Sequence, residues 1–434
     1  MTAAMANPQA GHVQADVRAP FLILAAIFLA PYLSWRPSLD ILFTISDACF
    51  LLGAAQLVVR QYIPLQPFGV LSPVWLIAFV LMMAGLLVSS LFGNDPLRWP
   101  IVAIQYSFAW MVLPFLLMGH GNGETHRLAR ALLAGVVLME LAGVIVYFTF
   151  QGSFEQARSI LGFDFISGSG RLGAFVTDAN WNGATIAMAL PFTFYLRARR
   201  LINAWQAILA TAILFFALML SASVTAFGSA LAAMLIFVIA GGVRVKAYTL
   251  LALAVVSIAL APGELGLPSI FQKRVANALE SGDFAQAGTF KGRVALMDGA
   301  WHRVGDHILL GAGVDQDRVV SGQNAPVHNM YLLLWVEGGF IALAGWITMM
   351  SIFLLVALAA LRRDRMAGAL CLSVLATFLL FSTASPHMYA RLWAVPVILA
   401  LAIARTAGGP LDMRLGLRRR YSPARLQRLE RARG

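Results

Sequence analysis

Charge is what this chain has least of. Only 12% of its 434 residues are Asp, Glu, Lys or Arg, about half the share found in water-soluble domains, which excludes a soluble globular enzyme. Cysteine is almost missing: Cys49 and Cys371 both lie inside apolar stretches, and neither a disulfide framework nor a thiolate metal site can be read from them. The seven histidines show no HExxH spacing and no clustering with acidic residues, so no metal site is expected. A GxxxxGK[ST] run is absent and Gly311-Ala312-Gly313 does not follow a strand, so nucleotide binding is not supported and no cofactor is expected. The first 20 residues lack the basic start, short apolar core and small-residue cleavage site of a removable signal peptide, so the first apolar segment is expected to be retained.

What fills the chain instead is apolar sequence, 60% AVILMFWYC with a mean hydropathy of +0.77. It is arranged in blocks of about 20 residues, the length that crosses ~30 Å of hydrocarbon as a helix. Breaks at Pro, Gly and charge predict spans near 19–35, 39–59, 71–92, 99–118, 129–149, 181–196, 203–220, 223–241, 246–262, 339–361, 366–385 and 391–407. The expected fold is therefore all-α, a polytopic membrane bundle of about twelve transmembrane helices.

The net charge of +12 does not point to nucleic acid, because Lys and Arg sit mainly between apolar blocks and in the last 30 residues. With the N-terminus in the cytoplasm, the short loops on the far side hold just Arg36, Arg98, Arg158, Arg171 and Arg391. This is the asymmetry of a chain with both termini cytoplasmic. The expected division is a cytoplasmic N-terminus (1–18), a membrane domain of about nine spans (19–262), a partly helical periplasmic loop (263–338), about three further spans (339–407) and a basic tail (408–434). The tail, with Arg418, Arg419 and Arg420, would lie against anionic membrane lipid.

Two far-side segments interrupt the hydrophobic pattern, 150–180 and 263–338, and a loop as long as the second is usually functional. Within it Val294, Met297, Trp301, Val304 and Ile308 recur at steps of three and four, an amphipathic helix that can lie on the bundle or in the interface. His328 falls where the loop meets the membrane, and imidazole can take or give a proton near neutral pH without a metal. Taken alone it could equally be a hydrogen-bonded interface residue. His302, His307 and His387 lie on or near the same face. Arg293 opens the amphipathic helix and Arg171 sits in a glycine-rich stretch, Gly168-Ser169-Gly170-Arg171-Leu172-Gly173. Each guanidinium can hold phosphate oxygens bidentately, or serve as an interfacial anchor. Asp178, Asn180 and Asn182 can bind sugar hydroxyls or cap the helix they precede. Asp47 and Glu140 are isolated intramembrane carboxylates, which keeps a proton-coupled carrier as an alternative class.

Gly292-Arg293, Trp301, His307-Ile308-Leu309-Leu310-Gly311-Ala312-Gly313, His328-Asn329-Met330-Tyr331-Leu332 and Glu337-Gly338-Gly339 together resemble the O-antigen ligase and polymerase superfamily. Arg171, Gly173, Asp178 and Asn180 are similar to that family's segment before the sixth span, and Arg391-Leu392-Trp393 to another of its marks. The resemblance implies a bundle of the GT-C glycosyltransferase type in the bacterial inner membrane, with its active site in the periplasm. It implies a metal-independent, inverting transfer of a glycan from undecaprenyl pyrophosphate, with His328, Arg293 and Arg171 as catalytic residues. Asn180, Asp178, Asn329, Arg391 and Trp301 would bind substrate.

The acceptor would be a second lipid-linked glycan for a polymerase of exopolysaccharide or O-antigen, or lipid A core for a ligase. Flippase, chain-length regulator and export proteins are the partners such a system implies. In Ser221-Ala222-Ser223-Val224-Thr225 the family's ligases often carry arginine where Val224 stands, which favours the polymerase.

Overall fold

The computed structural model describes residues 18–34, 43–60, 62–93, 95–162, 164–242, 269–272, 290–306, 308–322 and 326–407. The expected span 246–262, His307 and the basic tail lie outside the described residues. The other eleven expected spans each fall on a helix. In chain order these are α1 (Phe21–Leu29), α2 (Ile45–Val59), α3 (Ser72–Phe92), α4 (Arg98–Leu117) and α5 (Asn122–Thr149), then a short α6 (Phe154–Leu161). They continue with α7 (Ala179–Ala198), α8 (Ala204–Ser221), α9 (Val224–Gly241), α10 (Phe290–Asp306), α11 (Asp317–Val320), α12 (Met330–Leu361), α13 (Arg365–Ser382) and α14 (Arg391–Thr406). Seven of them, α3, α4, α5, α8, α9, α12 and α13, are long and apolar enough to cross a membrane unaided.

The remaining expected spans differ for physical reasons. α1 has nine residues, not the seventeen expected, and its chain turns out at Pro31 to give the amides of Leu33 and Ser34 to the Phe175 carbonyl at 2.9 and 2.8 Å. Irregular backbone at this depth is tolerated because protein, not lipid, satisfies it. α7 and α14 carry internal prolines, Pro191 and Pro396, and are buried along almost their whole length. They form the centre of the bundle, so neither needs a lipid-facing hydrophobic surface.

α12 packs along α3, and two glycines let the backbones close. A Cβ on Gly85 would meet the Ala342 nitrogen at 2.7 Å, and one on Gly345 would meet the Met82 nitrogen at 2.6 Å. Small residues at such contacts stand in for the missing hydrophobic drive inside a membrane. α12 is itself broken at Gly339, whose φ of 69° leaves the helical region. The predicted span start at 339 coincides with this break, and the first nine residues of α12 form a separate, site-facing half-helix.

The helix ends gather in two layers. At one end, Arg199 pairs with Asp364, Arg365 reaches the Ala240 carbonyl and Thr125 meets Thr406. The other end collects the turn before α4, the segment 164–178, the α8–α9 turn, the 308–329 stretch and the turn before α14. The long loop thus folds back onto the bundle instead of standing away from it. Its helix α10 docks through Ala300 and Val304 on Val327, Leu333 and Val336. Of the expected stripe, Met297 and Val304 join the docked cluster with Ala300, whereas Val294 and Trp301 are exposed and Ile308 lies past the helix end.

Candidate functional site

The segment before α7 folds as a tight turn. Ser167 and Arg171 exchange a backbone bond of 2.9 Å, Gly170 takes a φ of 73°, and the Tyr147 hydroxyl donates to the Gly170 carbonyl at 2.8 Å. This turn delivers Arg171 into the protein, where it is buried. Its Nε donates to the Ser221 carbonyl and one Nη donates to Asn180 Oδ1, both at 2.7 Å. Arg171 and Asn180 therefore act as one unit, tied to the α8–α9 turn. Asp178 caps α7 by accepting from the amides of Asn180 and Trp181 at 2.8 Å each, and Asn182 turns inward to Glu140 at 3.2 Å. Of the two roles open to Asp178 in the sequence, its contacts are those of the cap.

His328 is presented by a stiffened loop. The buried carboxylate of Asp317 accepts from Arg303 Nε at 3.1 Å and from the Val327 amide at 2.9 Å, fixing the residue just before the histidine. On the other side Asn329 caps α12, its Oδ1 accepting from Tyr331 and Leu332 at 3.0 and 3.1 Å. The imidazole is half-buried, with Nδ1 shielded from solvent and making no hydrogen bond. Burial lowers its pKa below the ordinary histidine value and the Arg293 guanidinium lowers it further, while the Pro326 carbonyl and the Asp178 carboxylate oppose them. Two charges from distant parts of the chain, Arg293 on α10 and Asp178 at the head of α7, therefore act on one imidazole. Arg171 is bonded to Asn180, two residues on from Asp178. A neutral, desolvated imidazole at pH 7 beside a guanidinium is equipped to accept a proton near an anion.

Two other expected substrate-binding residues have structural partners. Arg391, buried at the start of α14, forms a two-pronged ion pair with the buried Asp47 of α2, with Nη2 to Oδ2 at 2.8 Å, and stacks over Phe108 at 5.1 Å. It works as a clasp between helices. Trp301 is 59% exposed and meets Trp335 edge-on at 6.0 Å, an aromatic pair on the surface of the loop.

Sequence reading did not single out a second polar cluster at the same end. Arg98 Nε and an Arg318 nitrogen both donate to Asp315 Oδ2 at 2.8 Å. The amide of Asp315 donates to Glu337 at 2.9 Å, and those of Gly311 and Val314 donate to the hydroxyls of Ser89 and Ser90 at 2.9 and 3.0 Å. The glycine turn 311–313 and the Glu337-Gly338-Gly339 motif thus lock together. His387 lies against this cluster, its ring tilted over Tyr389 at 5.3 Å, and burial pushes its pKa down to about 4. The available signals were weak: a serine pair in an apolar span, and two aspartates just past the glycine turn.

Residues 209–347 match the family model described as O-antigen ligase. The match runs from α8 into α12 and contains Arg293, Trp301, Asp315 and His328. No curated protein matches the chain. That match supports the resemblance of residues 209–347 to the O-antigen ligase/polymerase superfamily, and the multi-pass helical bundle around them is consistent with it.

Proposed function

We propose that this protein is a glycan polymerase of the bacterial inner membrane, joining undecaprenyl-pyrophosphate-linked repeats at the periplasmic face. The acceptor hydroxyl attacks the anomeric carbon of the donor sugar and passes its proton to His328. The bond from that carbon to the pyrophosphate oxygen breaks, and undecaprenyl pyrophosphate leaves with the electron pair. Attack opposite the leaving group inverts the anomeric centre. Arg293 and Arg171 neutralise the pyrophosphate, so the step asks for no metal. The donor brings its own leaving group, which leaves the protein to orient, deprotonate and stabilise charge.

What supports this reading is that the charges of Arg293 and Asp178 both bear on His328, while Arg171 is bonded to Asn180, two residues on from Asp178. The ligase alternative draws support from the description of the matched family. Against it, Val224 occupies the first turn of α9, where the helix is capped by Ser223 and offers no cation. A test is reconstitution of the purified protein with a lipid-linked repeat, with and without lipid A core. Ladders of lengthening lipid-linked chains that do not require core support the polymerase. Product formed only on core assigns the ligase, and neither product, with uptake of substrate into vesicles, assigns a carrier.

A further inference from the structure

The cluster at Arg98 has the features of an amphiphile site. Its guanidiniums are the accessible part, with side chains 32% and 42% exposed at Arg98 and Arg318, while the Asp315 carboxylate they share is only 11% exposed beneath them. Glu337 lies deeper still, engaged by the Asp315 amide. The face turned outward is therefore cationic although acids lie below it. Phe92 and Leu97, 80% and 78% exposed, flank the turn before α4, and apolar side chains this exposed belong at the edge of the hydrocarbon layer.

Directly below Arg98 an open groove of about 350 Å³ runs down the same helix, lined by Trp99, Ala103, Ile104, Phe108 and Val112. From Trp99 to Val112 is roughly 20 Å of helix. The one indole N–H near its upper end is occupied by the Met83 carbonyl at 3.2 Å, so the groove offers an apolar wall. At its lower end α4 passes through a π-helical turn, Phe108–Val112, a feature frequent at functional sites.

On the same helix the buried Tyr106 hydroxyl contacts the sulfur of Met330 at 3.4 Å, two residues beyond His328.

We propose that Arg98, Arg318 and the α4 groove form a second binding site, for the pyrophosphate and first isoprene units of a polyprenyl-linked glycan, distinct from the Arg171–Arg293 site. The inference rests on the polymerase reading, because a polymerase uses two pyrophosphate-bearing lipids at once, a donor that loses its diphosphate and an acceptor that keeps it. Paired guanidiniums suit a diphosphate, and the groove beneath them suits its tail.

The test is equilibrium binding of radiolabelled undecaprenyl pyrophosphate to the full chain in phosphatidylcholine nanodiscs. Wild type is expected to bind two equivalents, and the Arg98→Gln/Arg318→Gln double variant one, the second site weakening by roughly tenfold or more. Ile104→Trp, which fills the groove without touching the ion pairs, is expected to weaken the same site for the lipid while leaving inorganic pyrophosphate binding unchanged. One equivalent in wild type, two in the double variant, no effect of Ile104→Trp, or displacement of the probe by an equal amount of phosphatidylglycerol would each overturn the proposal. Arg171→Gln separates the two readings: if it leaves both equivalents intact while the double variant removes one, the second site stands and the proposed role of Arg171 fails.

Discussion

At the scale of single residues, the imidazole of His328 is the group whose removal has the clearest expected outcome. Replacing it by alanine takes away the proposed general base, an effect of roughly 10²–10⁴-fold, so polymer formation by His328→Ala should fall to background with normal abundance in the membrane. Retained activity would remove the proton-transfer role. The same residue sets a pH dependence. Burial and Arg293 both disfavour its protonated form, so activity should persist below the ordinary histidine pKa of about 6.5 and be lost only as the ring protonates at lower pH. Arg293→Gln removes a neighbouring positive charge and should move that titration upward, which histidine NMR on the purified protein can follow. This residue was legible in the sequence by its place at the loop–membrane junction. Its environment was not, because desolvation and the Arg293 field exist only once α10 docks on the bundle.

At the scale of elements, the broken helix α12 and the glycine turn before it act as one joint. Gly339 combines a φ of 69° with a position where any Cβ would run into the Leu309 carbonyl. Gly339→Ala should therefore cost about 1–3 kcal/mol from the backbone strain alone, with more from the clash. Thermal unfolding in detergent should report the loss, and product formation should fall with it because His328 and Glu337 both belong to the segment held between the glycine turn and the break. The charge and glycines of Glu337-Gly338-Gly339 marked the break at 339 but not the half-helix before it, since nine residues are too few to read as a span of their own. α10 was visible as an amphipathic stretch, and Met297 and Val304 of the expected stripe do face α12, while Val294 and Trp301 do not. A repeat of three and four residues fits two adjacent faces, and only the partner surface of α12 chooses between them.

For the whole molecule, the ion pair of Asp47 with Arg391 joins α2 to α14 across 344 positions of sequence. Both groups are buried, so Asp47→Ala leaves an uncompensated guanidinium inside the bundle, expected to destabilise by roughly 3–5 kcal/mol. The double replacement Asp47→Leu/Arg391→Met removes both charges and should recover most of that loss. Thermal stability of the three proteins measures the difference. If Arg391 binds sugar as the motif resemblance implies, the double variant will be stable but inactive; if it is a clasp alone, activity will return with stability.

Hydrophobicity accumulates along about 20 consecutive residues, so the amino-acid order alone was enough to specify a helical membrane protein, the approximate position of its described spans and the long segment that interrupts them. The partner of each charged side chain depends instead on which helix ends meet. Arg171, Arg98 and Arg391 are alike as isolated arginines in short loops of one side. Folding gives the first an asparagine and a carbonyl, the second an aspartate at an accessible surface beside an apolar groove, and the third an enclosed carboxylate. Ion pairing is decided by distances of a few ångströms between residues hundreds of positions apart, and that convergence is a property of the packed bundle.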